Sequence, residues 1–461
     1  MTANPKIHSY IRRHIAPRTV YNGRQLRSFY QFPSSLGSGV KVAVIELGGG
    51  FVQADLDKYF GGLGISPLPA PVRVVSIDGA TNAPGDPDVD AETYLDLCVI
   101  GTVAPGCLMS CYFAQNTEAS FAKALTQARL DGNSAISISW GAPERDWTTT
   151  GVNQMQNALG AALAAGVIVT VAAGDSGSSD GDSGNNVDYP ASSPYTLACG
   201  GTTLPSLDTS TEVAWSDTGG GVSTIFGSPS WQGVTKQVNR CVPDAAGSCD
   251  PEYGWEIIVD GEPESVGGTS AVAPMWAGLV ACLISGGADL SNFIQSLYAK
   301  PSVLRDITKG SNGGFAAGVG YDCVTGLGVP IGTAIESILT AAPPAPTPPA
   351  PTPPAPTPPA PTPPAPTPPK PTQGHTVVIQ GATSVVIDGK RIDLAPGSQG
   401  AGTAVSFPVP NPHNAAVTPV ARNTRNVTAY VESSNRRGAP IAPQPTPPKR
   451  RAPQPVIPKR R

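Results

Sequence analysis

Val40-Lys41-Val42-Ala43-Val44-Ile45-Glu46-Leu47 runs straight into Gly48-Gly49-Gly50. An apolar, β-branched run that breaks on glycines predicts a strand buried on both faces, with a sharp turn at its carboxyl end. The pattern recurs. Strands are predicted over 72–77, 107–114, 135–140 and 167–173, and helices over 55–63, 91–103, 117–130 and 152–165. Such an alternation indicates an α/β fold with a mainly parallel sheet covered by helices on both faces and right-handed crossovers. Two more helices are expected over 270–285 and 290–297. Ligands on sheets of this kind bind beyond the carboxyl ends of the strands.

The chain has 461 residues, 14% of them charged, with 52 Gly, 51 Pro and a net charge of −4. The balance is uneven: residues 23–369 hold 13 basic against 31 acidic side chains, and residues 370–461 hold 13 against 3. An acidic body argues against nucleic acid as the partner of the folded part. No run approaches the ~18 to 20 apolar residues of a membrane span. Residues 1–18 lack the apolar core of roughly 7–15 residues that marks a secretory signal. Four segments are expected: an N-terminal extension over 1–22, a globular domain over 23–342, a linker over 343–372 and a basic tail over 373–461. The linker is five copies of Pro-Pro-Ala-Pro-Thr followed by Pro-Pro-Lys-Pro-Thr. Proline at that density favours a polyproline II spacer, roughly 90 Å long at ~3.1 Å per residue. The tail is expected to be largely disordered, with a weak hairpin signal over 375–379, 385–388 and 391–394. Its basic clusters suit either an anionic surface or plain solvation.

Gly267-Gly268-Thr269-Ser270-Ala271 places a serine between small residues at the mouth of an apolar helix. A serine nucleophile normally needs an imidazole as its base. The four histidines, His8, His14, His375 and His413, all lie in the flanks. If Ser270 is a nucleophile, a carboxylate must take its proton. Glu92 and Asp96 are one helical turn apart, so their carboxyls share a face. That spacing fits a solvated face, but Tyr94, Leu95, Leu97 and Val99 beside them indicate burial. Paired carboxyls in apolar surroundings have at least one raised pKa, as a general base and its supporter require. Asp175, in Ala173-Gly174-Asp175-Ser176-Gly177, ends a strand. It reads either as a turn cap or, when protonated, as an oxyanion donor.

These segments, with Ile138-Ser139-Trp140-Gly141 and Gly219-Gly220-Gly221-Val222-Ser223, together resemble the sedolisin family of serine-carboxyl peptidases, most of all its kumamolisin branch. The resemblance covers residues 25–339. It implies a subtilisin-like fold and an acid-active serine endopeptidase of extracellular, monomeric character acting on protein or peptide substrates. Ser270 is implied as nucleophile, Glu92 as base, Asp96 as its orienting partner and Asp175 as oxyanion donor. Glu46 and Trp140 extend the proton network. Ser139, Gly141, Gly220, Asp180 and Asp188 are implied to bind substrate, the two acids favouring basic side chains or serving only as solvated loop acids. Members of the family usually carry a long prodomain, whereas only residues 1–22 precede the domain here.

Asp306-Ile307 and Gly318-Val319-Gly320-Tyr321-Asp322 put two carboxylates and free carbonyls in a glycine-rich loop, a donor set for a hard cation. The resemblance implies one structural calcium ion, held by the Asp306 and Asp322 carboxylates and the Ile307, Gly318 and Gly320 carbonyls. Among eight cysteines, Cys241 and Cys249 bracket a short loop that a disulfide would close. The competing reading from another class is a catalytically silent peptide-binding or surface-anchored protein on the same fold. A neutral subtilisin-like protease is a third, weakened by the missing histidine.

Overall fold

The computed structural model describes residues 7–14, 16–65 and 68–340, and six short strands beyond residue 374. By contacts the chain divides into Met1–Pro348 and Pro349–Arg461.

The first unit is built on one sheet. Its strands lie in the order Val213–Ala214, Leu197–Thr203, Ile168–Ala172, Ala135–Ile138, Lys41–Glu46, Leu108–Phe113 and Arg73–Ser76, with Ala245–Ser248 also on Leu197–Thr203. All neighbours are parallel except Val213–Ala214. Lys41–Glu46 is central because five of its six residues are buried, and alternate side chains serve opposite faces. Val42 and Val44 join a core formed with the helices Pro87–Val103 and Val272–Ser285. Ala43 and Ile45 join a second core, formed with Glu118–Leu130 and Thr149–Ala164. The α/β class and the subtilisin-like arrangement of helices on both faces are as the sequence reads.

Pro87–Val103 begins earlier than the predicted 91. Asp86 caps it, its side chain accepting from the Asp88 N–H, and Pro87 supplies a preformed first turn. Every residue from Asp90 to Val103 is buried, so no solvated face exists and Glu92 and Asp96 are interior.

Three short strands come from the residues grouped in the sequence as an N-terminal extension. His8–Ser9 pairs with Trp140–Pro143, Arg12–Arg13 with Glu262–Gly267, and Thr19–Tyr21 with Tyr253–Val259.

Cys241 and Cys249, whose pairing the sequence leaves open, are not bridged. Both are free buried thiols, and the Cys241 thiol donates to the Asn239 carbonyl at 3.7 Å. The intervening loop is spanned by sheet pairing: Val222 pairs with Cys241, and the Cys249 N–H donates to the Thr202 carbonyl. The two cysteines are thereby fastened to different strands.

In the second unit the hairpin signal is half right. Ser384–Ile387 pairs with Lys390–Asp393. His375–Gln380 pairs with Thr403–Phe407 and Thr428–Glu432 instead. The expected proline linker and most of the expected disordered tail lie outside the described residues.

Candidate active site

Parallel strands deliver their carboxyl ends to one edge. Glu46 closes Lys41–Glu46, Ser139 follows Ala135–Ile138, and Asp175 lies just past Ile168–Ala172. Ser270 reaches the same edge from the turn Thr269–Ala271 that leads into Val272–Ser285. Gly268 makes that turn possible: its φ is +100°, and a Cβ there would stand 1.9 Å from the Tyr10 carbonyl oxygen.

The Ser270 hydroxyl donates to Glu92 Oε2 at 3.0 Å. Asp96, one turn on, accepts the Ser139 hydroxyl at 2.8 Å. Glu46 accepts the Trp140 indole N–H at 3.0 Å. All three carboxyls are 0–1% exposed, and each keeps one buried oxygen with no partner: Glu92 Oε1, Asp96 Oδ2 and Glu46 Oε1. Burial raises the pKa of all three, and mutual repulsion raises those of Glu92 and Glu46 further. With no hydrogen bond to a cation at any of the three, shared protons are what relieve the crowding.

Asp175 is 2% exposed. Its Oδ1 accepts the Thr269 N–H at 2.7 Å and hydroxyl at 2.8 Å, and its Oδ2 has no hydrogen-bond partner. Burial pushes its pKa up to about 7, against the lowering pull of Thr269 and of Arg12, 3.7 Å away. A carboxyl protonated in acid, with one oxygen free of hydrogen bonds, can donate to a developing oxyanion.

The residues expected to bind substrate behave differently from one another. The Tyr10 N–H donates to the Ser139 carbonyl, and Gly141 pairs with His8. Asp188 and Asp180 are 0% and 6% exposed, so neither is a solvated loop acid. Gly220 is engaged elsewhere, its carbonyl accepting from Asn312 at 3.3 Å. Tyr10, Arg12 and Thr269 were not anticipated. Tyr10 lies in Ile7-His8-Ser9-Tyr10-Ile11, which has no apolar alternation to mark it, and Thr269 carried no signal of its own.

In the glycine-rich loop, Asp322 accepts from Gly318, Val324 and Thr325 N–H groups, and Asp306 Oδ2 from the Gly320 N–H at 2.8 Å. The Ile307 carbonyl faces the Thr325 hydroxyl at 3.5 Å. Asp306 Oδ1 is buried without a partner. Among the described residues no three His, Cys, Asp or Glu side chains gather to hold a metal. A cation here would depend on two carboxylates plus backbone carbonyls, a set that suits a hard ion. The orphaned Asp306 oxygen fits that need.

The sequence pattern of the subtilase family matches residues 79–311. The chain is 44% identical to kumamolisin of Bacillus sp. strain MN-32, over 71% of this chain and 65% of that protein. It is 29% identical to tripeptidyl-peptidase sed5 of Aspergillus fumigatus, over 66% and 63% of the two chains. It thus spans less than two thirds of these curated relatives. Among solved structures, Pseudomonas sedolisin, a serine-carboxyl proteinase complexed with pseudo-iodotyrostatin, superposes with a TM-score of 0.62 at 26% identity, covering 69% of this chain and 98% of that one.

Proposed function

Because the chain belongs to the subtilase family, among its sedolisin-type serine-carboxyl peptidases, we propose that it is an acid-active endopeptidase using Ser270, Glu92 and Asp96. The observation that carries this is the 3.0 Å hydrogen bond from the Ser270 hydroxyl to Glu92, in a chain with no histidine between His14 and His375.

Ser270 Oγ attacks the scissile carbonyl carbon as its proton passes to Glu92. Asp96 and Glu46 are positioning residues, which share protons with Glu92 and set its basicity. Ser139 and Trp140 hold those two carboxyls by hydrogen bonds. The neutral Asp175 carboxyl and the Ser270 N–H stabilise the oxyanion. Glu92 then returns the proton to the departing amine, and water hydrolyses the acyl-enzyme by the reverse path. Acid favours this chemistry because the oxyanion donor works only while protonated.

The cleft supports internal cleavage over removal of tripeptides. Ile7, three residues before the Tyr10 carbonyl that accepts the Ser270 N–H at 3.3 Å, is still seated, its carbonyl accepting from Asn116 at 2.8 Å. A second reading, a silent peptide-binding protein, draws on one observation: His8–Ser9 already lies along Trp140–Pro143. Casein or peptide turnover from pH 2 to 8 separates the two. Turnover in acid that Ser270→Ala abolishes supports the peptidase; peptide binding at pH 3–4 without turnover supports the silent protein.

Asp306, Asp322 and the carbonyls of Ile307, Gly318 and Gly320 would hold one calcium ion, whose service is to pin the loop. No helix among the described residues is long and apolar enough to cross a membrane. The family resemblance supports work outside the cell as a monomer, and the basic tail suits an anionic surface.

A further inference from the structure

Thr269 directly precedes the nucleophile, is 0% exposed and takes no part in the acyl transfer itself. Both its polar groups turn back to one atom. Its N–H donates to Asp175 Oδ1 at 2.7 Å, and its hydroxyl donates to the same oxygen at 2.8 Å. The hydroxyl has one proton and a second candidate acceptor, the Gly174 carbonyl at 3.2 Å. That carbonyl already accepts the Gly219 N–H at 2.7 Å, and the Gly174 N–H donates to the hydroxyl oxygen at 3.1 Å. The proton therefore goes to the shorter contact, Asp175.

Two donors fill the in-plane lone pairs of Oδ1. An oxygen so occupied is the carbonyl oxygen of a neutral carboxyl, because an acidic O–H placed there would meet two donors head-on. Oδ2 has no hydrogen-bond partner and is left to carry the proton. It faces the missing side chain of Gly268, where a Cβ would stand 2.4 Å from it. The same Cβ would stand 1.9 Å from the Tyr10 carbonyl oxygen, which accepts the Ser270 N–H at 3.3 Å. Oδ2 and a carbonyl held by the Ser270 N–H thus share one corner.

We propose that Thr269 is a positioning residue for the oxyanion donor: its N–H and hydroxyl hold Asp175 Oδ1 as the carbonyl oxygen and fix the proton on Oδ2, beside the oxyanion. The proposal rests on the peptidase reading above and adds the group that aims its donor. An unclamped carboxyl exchanges its proton between two oxygens and points it at the reaction only part of the time. Clamping one oxygen removes that freedom before substrate arrives.

The clamp also acts on acidity, in the opposite sense. Burial pushes the Asp175 carboxyl up to about 7, Thr269 and then Arg12 pull it down, and Asp217 adds a smaller rise. Removing the hydroxyl should leave the donor worse aimed yet protonated to higher pH. A side chain that only fastened the turn would not move rate and pH limit in opposite directions.

The test is the pH profile of kcat and KM for a cleavable peptide, measured on the full chain, on Thr269→Val and on Thr269→Ser. Thr269→Val should lower kcat about tenfold or more, a part of what loss of an oxyanion donor costs, with KM changed by less than about twofold. Its alkaline limb should move up by about half a pH unit. That shift should vanish in the Asp175→Asn background, where the donor is an amide. Thr269→Ser should keep both the rate and the limb of the unmodified chain. If Thr269→Val does not fold, Thr269→Ala is read on the same criteria. An unchanged kcat, a limb that stays or moves down, or Thr269→Ser as slow as Thr269→Val overturns the proposal. No turnover of casein or of any peptide by the unmodified chain between pH 2 and 8 instead overturns the peptidase reading itself.

Discussion

Two groups of carboxyls are equally buried in this molecule and are treated in opposite ways. Asp244 is 1% exposed and saturated: Arg240 donates to both its oxygens at 2.8 and 2.5 Å, Tyr298 to one at 2.7 Å, and the Ala198 N–H to the other at 2.8 Å. Glu46, Glu92 and Asp96 are as deep but hydrogen-bond to no cation, and each has an idle oxygen. A saturated buried charge fastens structure, and replacing it unmakes a fold. An unsaturated cluster stores protons, and replacing it unmakes a reaction. Depth alone separates nothing; the partners do.

The comparison breaks most visibly at the nucleophile. Ser270→Ala and Glu92→Gln should each lower kcat by about 10³-fold or more, with Tm unchanged or slightly raised, because Glu92→Gln relieves like-charge crowding. Asp244→Ala should do the reverse. It strands the buried Arg240 guanidinium and should cost about 3–5 kcal/mol, read as a fall in denaturation midpoint, while the protein that remains folded keeps its KM. Loss of kcat without loss of stability in Asp244→Ala would erase the distinction.

pH sharpens it. Asp175 and Asp180 have folded pKa values above their unfolded values of about 4. Their neutral forms are bound preferentially, so their contribution is complete below pH 4 and is lost as pH rises through the folded values, about 7 for Asp175 and Asp180. Tm should therefore fall steadily between pH 4 and 8. Asp175→Asn and Asp180→Asn should each flatten that fall. A Tm that rises over this interval would show that these groups are ionised in the fold.

The smallest effect is at the glycine-rich loop. Chelation should lower Tm by a few degrees, as loss of a ligand bound only by the native state does, and Asp322→Ala should abolish the response to chelator. Unchanged melting in both would remove the ion.

Much of the fold could be read from the chain. Apolar runs such as 40–47 and the helices between them have periods that survive in any context, and Glu92, Asp96, Asp175 and Ser270 sit at punctuated positions. Partners could not be read. Whether Glu92 faced solvent or interior depended on Val272–Ser285, distant in sequence, packing over its helix. Tyr10 looked like part of a polar extension because its backbone partner is the Ser139 carbonyl, more than a hundred residues on. Loop length left a Cys241–Cys249 bridge open; sheet pairing holds the two on different strands. Asp188 gave no local sign that Gly141 opens a buried pocket for it.

In the proposed reaction a carboxyl, not an imidazole, takes the serine proton while a second carboxyl donates to the oxyanion. The most direct test is the pH profile of kcat/KM for a cleavable peptide, measured for the chain and for Asp175→Asn. An acid optimum is expected, with activity falling as pH approaches 7 and an alkaline limb displaced upwards when asparagine donates without needing a proton. Activity that climbs through pH 7 to a neutral plateau, with the limb unmoved by Asp175→Asn, would contradict it.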